Sequence, residues 1–239
     1  MVSNNVSAIT KLAEQTYNKW SIFDETIGIK HSSFGRIHDQ NRFFWIRIPK
    51  CANTFIQWHT TSMREIDYYA DYSKITSPKH KGFVVLRDPL ERWISGATTF
   101  FRTENIRQDF NLDESFNFFK DALQFKNFYT SVFIDYTIDR LSKNYHGLLQ
   151  VWHLYPVLIQ NIDFFYLNNK LGYQLNHCLT SHGVGNTMNN TKMNETGTQD
   201  PIYNFIHEFV MHPDNIKYKQ KILDFLKPDY ELLSLVNFK

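Results

Sequence analysis

The sequence feature that most constrains the fold is a buried-strand pattern that leads through a turn into a helix. Residues 43–55 read FFWIRIPKCANTF, in which the apolar run stops at Pro49 and Lys50 and gives way to small residues. A strand, turn and helix in this order direct several backbone N–H groups at one point, which attracts anions. Lys50 adds a full positive charge there, and Asn53 and Thr54 add side-chain donors. The pattern predicts an anion-binding turn, although the Walker A spacing is absent.

A second segment of the same kind follows at residues 82–97, which read GFVVLRDPLERWISGA. Its short apolar run is typical of a parallel strand that is covered on both faces. Asp88 suits the N-cap of the next helix, and Pro89 suits its first position. Arg87 is therefore expected at the carboxyl end of a strand, where open α/β sheets bind ligands, and its guanidinium can bind a phosphate group with two hydrogen bonds. Ser95, two turns into the helix, can add a hydroxyl donor to the same site.

Together the two segments resemble the sulfotransferase superfamily, in particular its carbohydrate, membrane-type branch. IPKCANTF is similar to the family's 5′-phosphosulfate loop, and LRDPLERWISGA is similar to its 3′-phosphate motif. Two weaker similarities follow: HLYP at residues 153–156, with NIDFFYL after it, and KPDYELL at residues 227–233. The resemblance covers the chain from residue 43 to its end.

The resemblance implies an enzyme that transfers the sulfuryl group of 3′-phosphoadenosine 5′-phosphosulfate (PAPS), its donor substrate, to a hydroxyl or amine of an acceptor, here expected to be a glycan. Lys50 is expected to neutralise the charge that builds on the leaving oxygen. Arg87 and Ser95 are expected to bind the 3′-phosphate. The 5′-phosphate is expected to bind the turn formed by Cys51, Ala52, Asn53, Thr54 and Phe55. Because a sulfuryl group carries a single charge, no metal is implied.

The acceptor hydroxyl also needs a general base, and the sequence leaves several candidates open. His153, in the HLYP segment, is the first choice. Asp67, at a possible second strand, comes next, with Asp71 as its alternative. His59 and His80 also qualify by residue type.

Other functions remain open alternatives. A non-catalytic module that binds a nucleotide or a glycan on the same scaffold would keep Lys50 and Arg87 without a base. A P-loop kinase would need Mg²⁺ and a serine or threonine directly after its lysine, whereas Cys51 follows Lys50 here. A cytosolic-type sulfotransferase that acts on small phenols or steroids would share the chemistry and differ in the acceptor.

Composition limits the partners and the compartment. The net charge of +2 is too balanced to indicate a nucleic-acid or membrane surface. Cys51 and Cys178 do not form a disulfide framework and are interpreted as free thiols, and the spacing of His177, Cys178 and His182 matches no zinc pattern. No apolar run is long enough to span a membrane, and the polar N-terminus does not resemble a signal peptide. We therefore expect a cytoplasmic, soluble bacterial or viral relative of the family, without membrane insertion and with an oligomeric state that the sequence leaves open.

The order of the patterns predicts an α/β fold: a single P-loop-like domain with a central, mostly parallel sheet flanked by helices, and a helical C-terminal part. Residues 1–42 are expected to hold an N-terminal helix, at 7–20, and a lead-in, and residues 43–239 the sulfotransferase-like domain. A long loop is expected at 176–199. Strands are expected at 43–48, 65–70, 83–87 and 163–167, and helices at 53–63, 89–102, 114–127, 129–142 and in the tail 201–236, with breaks at Pro213 and Pro228.

Overall fold

Five strands form one mixed sheet in the part of the chain that the structure describes, a computed structural model of residues 5–20, 35–66, 68–103, 131–142, 147–184 and 200–239. The strands are β1 (Gly35–His38), β2 (Phe43–Ile46), β3 (Arg64–Glu65), β4 (Lys81–Leu86) and β5 (Ile162–Tyr166), in the order β3-β1-β2-β4-β5. β4 pairs in parallel with β2 and β5, whereas β1 pairs antiparallel with β2 and β3. Four of these strands thus run in one direction, which confirms the prediction of an α/β fold with a mostly parallel sheet.

Helices make up most of the remaining described residues and dominate the C-terminal part, as the sequence predicts. They are α1 (Val6–Trp20), α2 (Asn53–His59), α3 (Tyr68–Ile75), α4 (Pro89–Thr103), α5 (Ser131–Ser142), α6 (Leu171–Ser181), α7 (Pro201–Met211) and α8 (Ile216–Leu235). Among these helices, none combines the length and the apolar character that a membrane span requires.

The chain divides into two compact units. The first contains the sheet and is drawn from Met1–Pro89, Leu149–Asn194 and Pro228–Lys239. The second is drawn from Leu90–Leu148 and Glu195–Lys227, and its described residues are mainly helical. The proposed anion-binding turns both lie in the first unit.

The two central strands have the burial that their sequences predict. All four residues of β2 are buried, and so are the five residues of β4 after Lys81. Phe43 and Phe83 stack across the parallel pair with ring centroids 5.7 Å apart. Strands that are apolar on both faces fit a position inside a sheet that is covered on both sides.

Strand β1 lies inside the stretch that the sequence predicts to be a lead-in, so the sheet begins before residue 43. Gly35 starts this strand with a φ of 130°, and a Cβ there would lie 1.8 Å from the carbonyl oxygen of Trp45. Only glycine tolerates this combination of backbone conformation and close approach. The pairing of β1 with β2 therefore depends on Gly35, and β1 has too little apolar sequence to be recognised alone.

The predicted strand at 65–70 is wrong for most of its length, because β3 ends at Glu65 and helix α3 begins at Tyr68. The predicted loop at 176–199 is also wrong at its start, because helix α6 continues to Ser181. The apolar stripe of α6 is buried and offsets its polar composition. Its buried members are Leu171, Leu175, Cys178 and Leu179. Residues 185–199, and the predicted helix at 114–127, lie outside the described residues.

Helix α8 continues through Pro228, where the sequence predicts a break. A proline inside a helix removes one backbone hydrogen bond and costs about 3 kcal/mol. The apolar face of α8 offsets that cost, because Ile222, Leu226 and Leu232 are buried. Tertiary packing thus outweighs the local preference at this position.

Candidate active site

The turn between β2 and α2 has an unusual backbone. Lys50 and Ala52 adopt left-handed conformations, with φ values of 67° and 61°. For residues with a side chain this costs about 1–2 kcal/mol each, so the surrounding structure has to hold the turn in place. The Cys51 N–H donates to the Ile48 carbonyl at 3.3 Å. Left-handed residues within a turn direct neighbouring N–H groups to one side, and such concave arrangements bind anions.

The turn after β4 lies beside this first turn. β2 and β4 are parallel neighbours, with Ile46 paired to Val84, so Lys50 and Arg87 both follow the carboxyl ends of their strands. The Arg87 guanidinium donates a hydrogen bond from Nη1 to the Lys50 carbonyl oxygen at 3.4 Å. Both side chains are half-buried. The structure therefore brings the two turns together and places the Arg87 guanidinium against the backbone of Lys50.

Gln150 links the two turns through its side-chain amide. Its side chain is 0 % exposed. Its Oε1 accepts from the Arg87 backbone N–H at 2.9 Å, and its Nε2 donates to the Arg87 carbonyl oxygen at 2.9 Å. The Cys51 thiol donates to the same Oε1 at 3.5 Å. A single amide therefore contacts both turns.

A buried carboxylate supports the segment that carries Gln150. Asp229, in α8, is 0 % exposed. Its two oxygens accept from the backbone N–H groups of Gln150, at 2.9 Å, and of Val151, at 3.0 Å. Asp229 belongs to the KPDYELL segment, and the residues that it supports lie just before the HLYP segment in the chain.

The motifs do not predict Gln150 or Asp229. A signal for Asp229 exists, because it falls on the apolar face of α8 between Leu226 and Leu232, where helical periodicity predicts an apolar residue. A charged residue at such a position indicates a buried partner. For Gln150, a polar residue inside the run LLQVW, the sequence offers only a weak hint of the same kind.

The other residues that are predicted to bind the donor differ in their exposure to solvent and in the unit to which they belong. Asn53 and Phe55 are half-buried and Thr54 is exposed. The Oδ1 atom of Asn53 is shielded from solvent and has no hydrogen-bond partner among the described residues. Phe55 makes an edge contact with the His59 ring at 4.7 Å. Ser95 lies in α4, in the second unit, and is half-buried.

The first candidate base, His153, is buried. It is 3 % exposed and lies in the short 3₁₀ helix Val151–Leu154. Its ring makes an edge contact with the Trp152 ring at 5.1 Å. Asp67, the next candidate, lies outside the described residues.

Asp71, the alternative carboxylate, belongs to a cluster of ion pairs. It is 1 % exposed and accepts two hydrogen bonds from Arg64, each 2.7 Å long. It also forms an ion pair with Lys74 at 3.0 Å. Asp39 accepts from the same two cations. The hydrogen bonds from Arg64 and then Lys74 lower the pKa of Asp39 to about 2.

This cluster lies at the opposite edge of the sheet from Lys50. Asp39 follows His38, which pairs with Phe43 at the amino end of β2. His80 is at this edge too, because it directly precedes β4, and burial lowers its pKa. Asp71 and His80 therefore lie far from the Lys50 turn, and the ion pairs of Asp71 give it a structural role.

Both cysteines are free and buried, which confirms the interpretation from composition. Burial raises the pKa of the Cys178 thiol to about 12, so this thiol stays protonated near neutral pH. Within the described ranges, no three His, Cys, Asp or Glu side chains come together in a way that could hold a metal ion.

Comparisons of sequence and structure yield no relative of this chain. No protein-family model, no curated protein and no solved structure matches it. Function must therefore be inferred from what Lys50, Arg87 and the turns around them can bind.

Proposed function

We propose that this chain is a sulfotransferase that takes the sulfuryl group of PAPS and transfers it to a hydroxyl or amine, with a glycan as the acceptor. The observation that carries the proposal is the contact between the two turns, in which the Arg87 guanidinium lies 3.4 Å from the Lys50 carbonyl oxygen. Each cation belongs to a turn that resembles one of the family's two nucleotide-binding motifs. A nucleotide with a 5′-phosphosulfate and a 3′-phosphate offers one anionic group to each.

The same proposal assigns the sheet to a single P-loop-like domain. Ligands of open α/β sheets bind at the carboxyl ends of parallel strands, and Lys50 and Arg87 occupy this edge. The left-handed conformations of Lys50 and Ala52 add backbone N–H groups to the two full charges. Three sources of anion affinity therefore coincide at one edge.

The chemistry is an in-line displacement at sulfur. The bond from the acceptor oxygen to sulfur forms while the bond from sulfur to the bridging oxygen breaks, and the electron pair stays on that bridging oxygen. Lys50 neutralises this developing charge, which is the main contribution that a protein makes to a loose transition state. The acceptor's proton passes to a general base, for which His153 is the first candidate and Asp67 the second.

A nucleotide-binding module without catalysis is the second candidate function. The burial of His153, 3 % exposed, favours it, because a general base has to reach the acceptor's proton. The two candidates share the nucleotide site and differ in turnover. Transfer of sulfate from PAPS to a panel of glycans and phenols separates them.

The test of the nucleotide site is titration calorimetry in EDTA with 3′-phosphoadenosine 5′-phosphate, the donor's product. We expect a dissociation constant in the micromolar range and a clear preference over adenosine 5′-phosphate. Arg87→Ala should remove most of this preference, since a charge-assisted pair of hydrogen bonds contributes about 2–4 kcal/mol. Lys79→Ala is the matched control, because Lys79 is exposed and lies just before β4 at the amino edge. Absence of binding, or binding that requires Mg²⁺, would refute the proposal.

A further inference from the structure

We infer that Gln150 is a positioning residue for the nucleotide site and that it acts through Arg87. The inference rests on the proposed function, because it concerns how Arg87 is presented to a phosphate group. Gln150 lies outside both motifs, and its side chain has no charge. Its contribution therefore comes from geometry.

Gln150 replaces a strand neighbour at the point where the sheet ends. The pairing of β4 with β5 stops at Leu86 and Tyr166, so Arg87 is the first residue beyond the strand pair. The Gln150 amide bonds both the N–H and the carbonyl oxygen of Arg87, each at 2.9 Å. Two hydrogen bonds to one residue hold its backbone in a single conformation, and this sets where the Arg87 side chain begins.

Gln150 also fixes the position of the turn after β2 relative to the turn after β4. Its Oε1 accepts from the Cys51 thiol at 3.5 Å in addition to the Arg87 N–H. Cys51 stands between the left-handed residues Lys50 and Ala52. The thiol bond is weak, so the main effect of Gln150 is expected on Arg87 and the smaller effect on Lys50.

The segment that holds Gln150 is itself fixed. Asp229 accepts from the Gln150 backbone N–H at 2.9 Å, so the backbone of Gln150 is anchored independently of its side chain. A substitution that changes only the side chain at position 150 should therefore leave this anchor in place and act on the two turns.

The experiment is a double-mutant cycle on nucleotide affinity, with Gln150→Met and Arg87→Ala. Methionine has similar length and no charge, and it cannot replace the two amide hydrogen bonds. We expect Gln150→Met to lower the affinity for 3′-phosphoadenosine 5′-phosphate about tenfold in the wild-type background. In the Arg87→Ala background the same substitution should lower this affinity less than about twofold. Affinity for adenosine 5′-phosphate should change less than about twofold in both. Gln160→Met, at an exposed glutamine of the same unit, is the control.

Thermal unfolding of each variant shows whether it is folded. If Gln150→Met does not fold, Gln150→Asn serves, because it keeps an uncharged amide that is too short to span both bonds. Suppose that Arg87→Ala lowers nucleotide affinity but Gln150→Met lowers it equally in both backgrounds, or not at all. That result would overturn the positioning role of Gln150 and leave the proposed function standing. If the wild-type protein does not bind the nucleotide, the proposed function fails and this inference fails with it.

Discussion

Replacement of Asp229 by asparagine removes the buried carboxylate charge that supports the Gln150 segment, with almost no change in side-chain shape. The wild-type carboxylate is 0 % exposed and accepts two backbone N–H groups, at 2.9 and 3.0 Å. Asparagine keeps one acceptor oxygen and presents an NH₂ group to the other N–H. One buried donor then loses its partner, at a cost of about 1–3 kcal/mol, and the remaining hydrogen bond loses about 1 kcal/mol of charge assistance. We expect Asp229→Asn to lower the free energy of unfolding by about 2–4 kcal/mol.

Urea unfolding of the wild-type protein and the variant measures this loss. Because a typical domain is stable by only about 5–15 kcal/mol, the midpoint should fall clearly while the slope with urea stays the same. Glu231→Gln makes the same chemical change two residues along α8 at an exposed position and should cost less than about 0.5 kcal/mol. A loss for Asp229→Asn no larger than the loss for Glu231→Gln would refute the reasoning that this carboxylate holds the Gln150 segment.

Three further predictions concern acid stability and catalysis. Arg64 and Lys74 hold the pKa of Asp39 at about 2, below its ordinary value of 3.8, so this carboxylate stabilises the fold above that ordinary value and loses its contribution as pH falls toward 2. Asp39→Asn should make the unfolding free energy less dependent on pH in this window, and an unchanged dependence would contradict the assignment. Lys50→Ala should lower the rate of sulfate transfer by a far larger factor than it lowers the affinity for the product nucleotide. His153→Ala should keep nucleotide affinity and lower the rate by about 10²–10⁴-fold, least for acidic acceptors, and wild-type turnover would move the base to another residue.

The sequence alone determines the elements whose signals are local. The strands β2, β4 and β5 are predicted within two residues, because each is a short apolar run bounded by polar or turn-forming residues. Helix α4 begins at Pro89 as predicted, since proline suits the first helical position. Lys50 and Arg87 are identified by their places after two such strands, and neighbouring parallel strands bring their carboxyl ends to one edge.

Only the tertiary structure decides the features that depend on partners distant in sequence. Strand β1 exists through its pairing with β2 and β3, and α8 passes Pro228 because its buried face outweighs the lost hydrogen bond. Asp71 is separated from the Lys50 edge by the direction of the strands, which residue type does not reveal. Gln150 acquires its place because Arg87, 63 positions away, and Asp229, 79 positions away, bond to it. Hydrogen bonds of this kind have no period in the sequence, so they become visible only when the chain has brought its buried polar groups together.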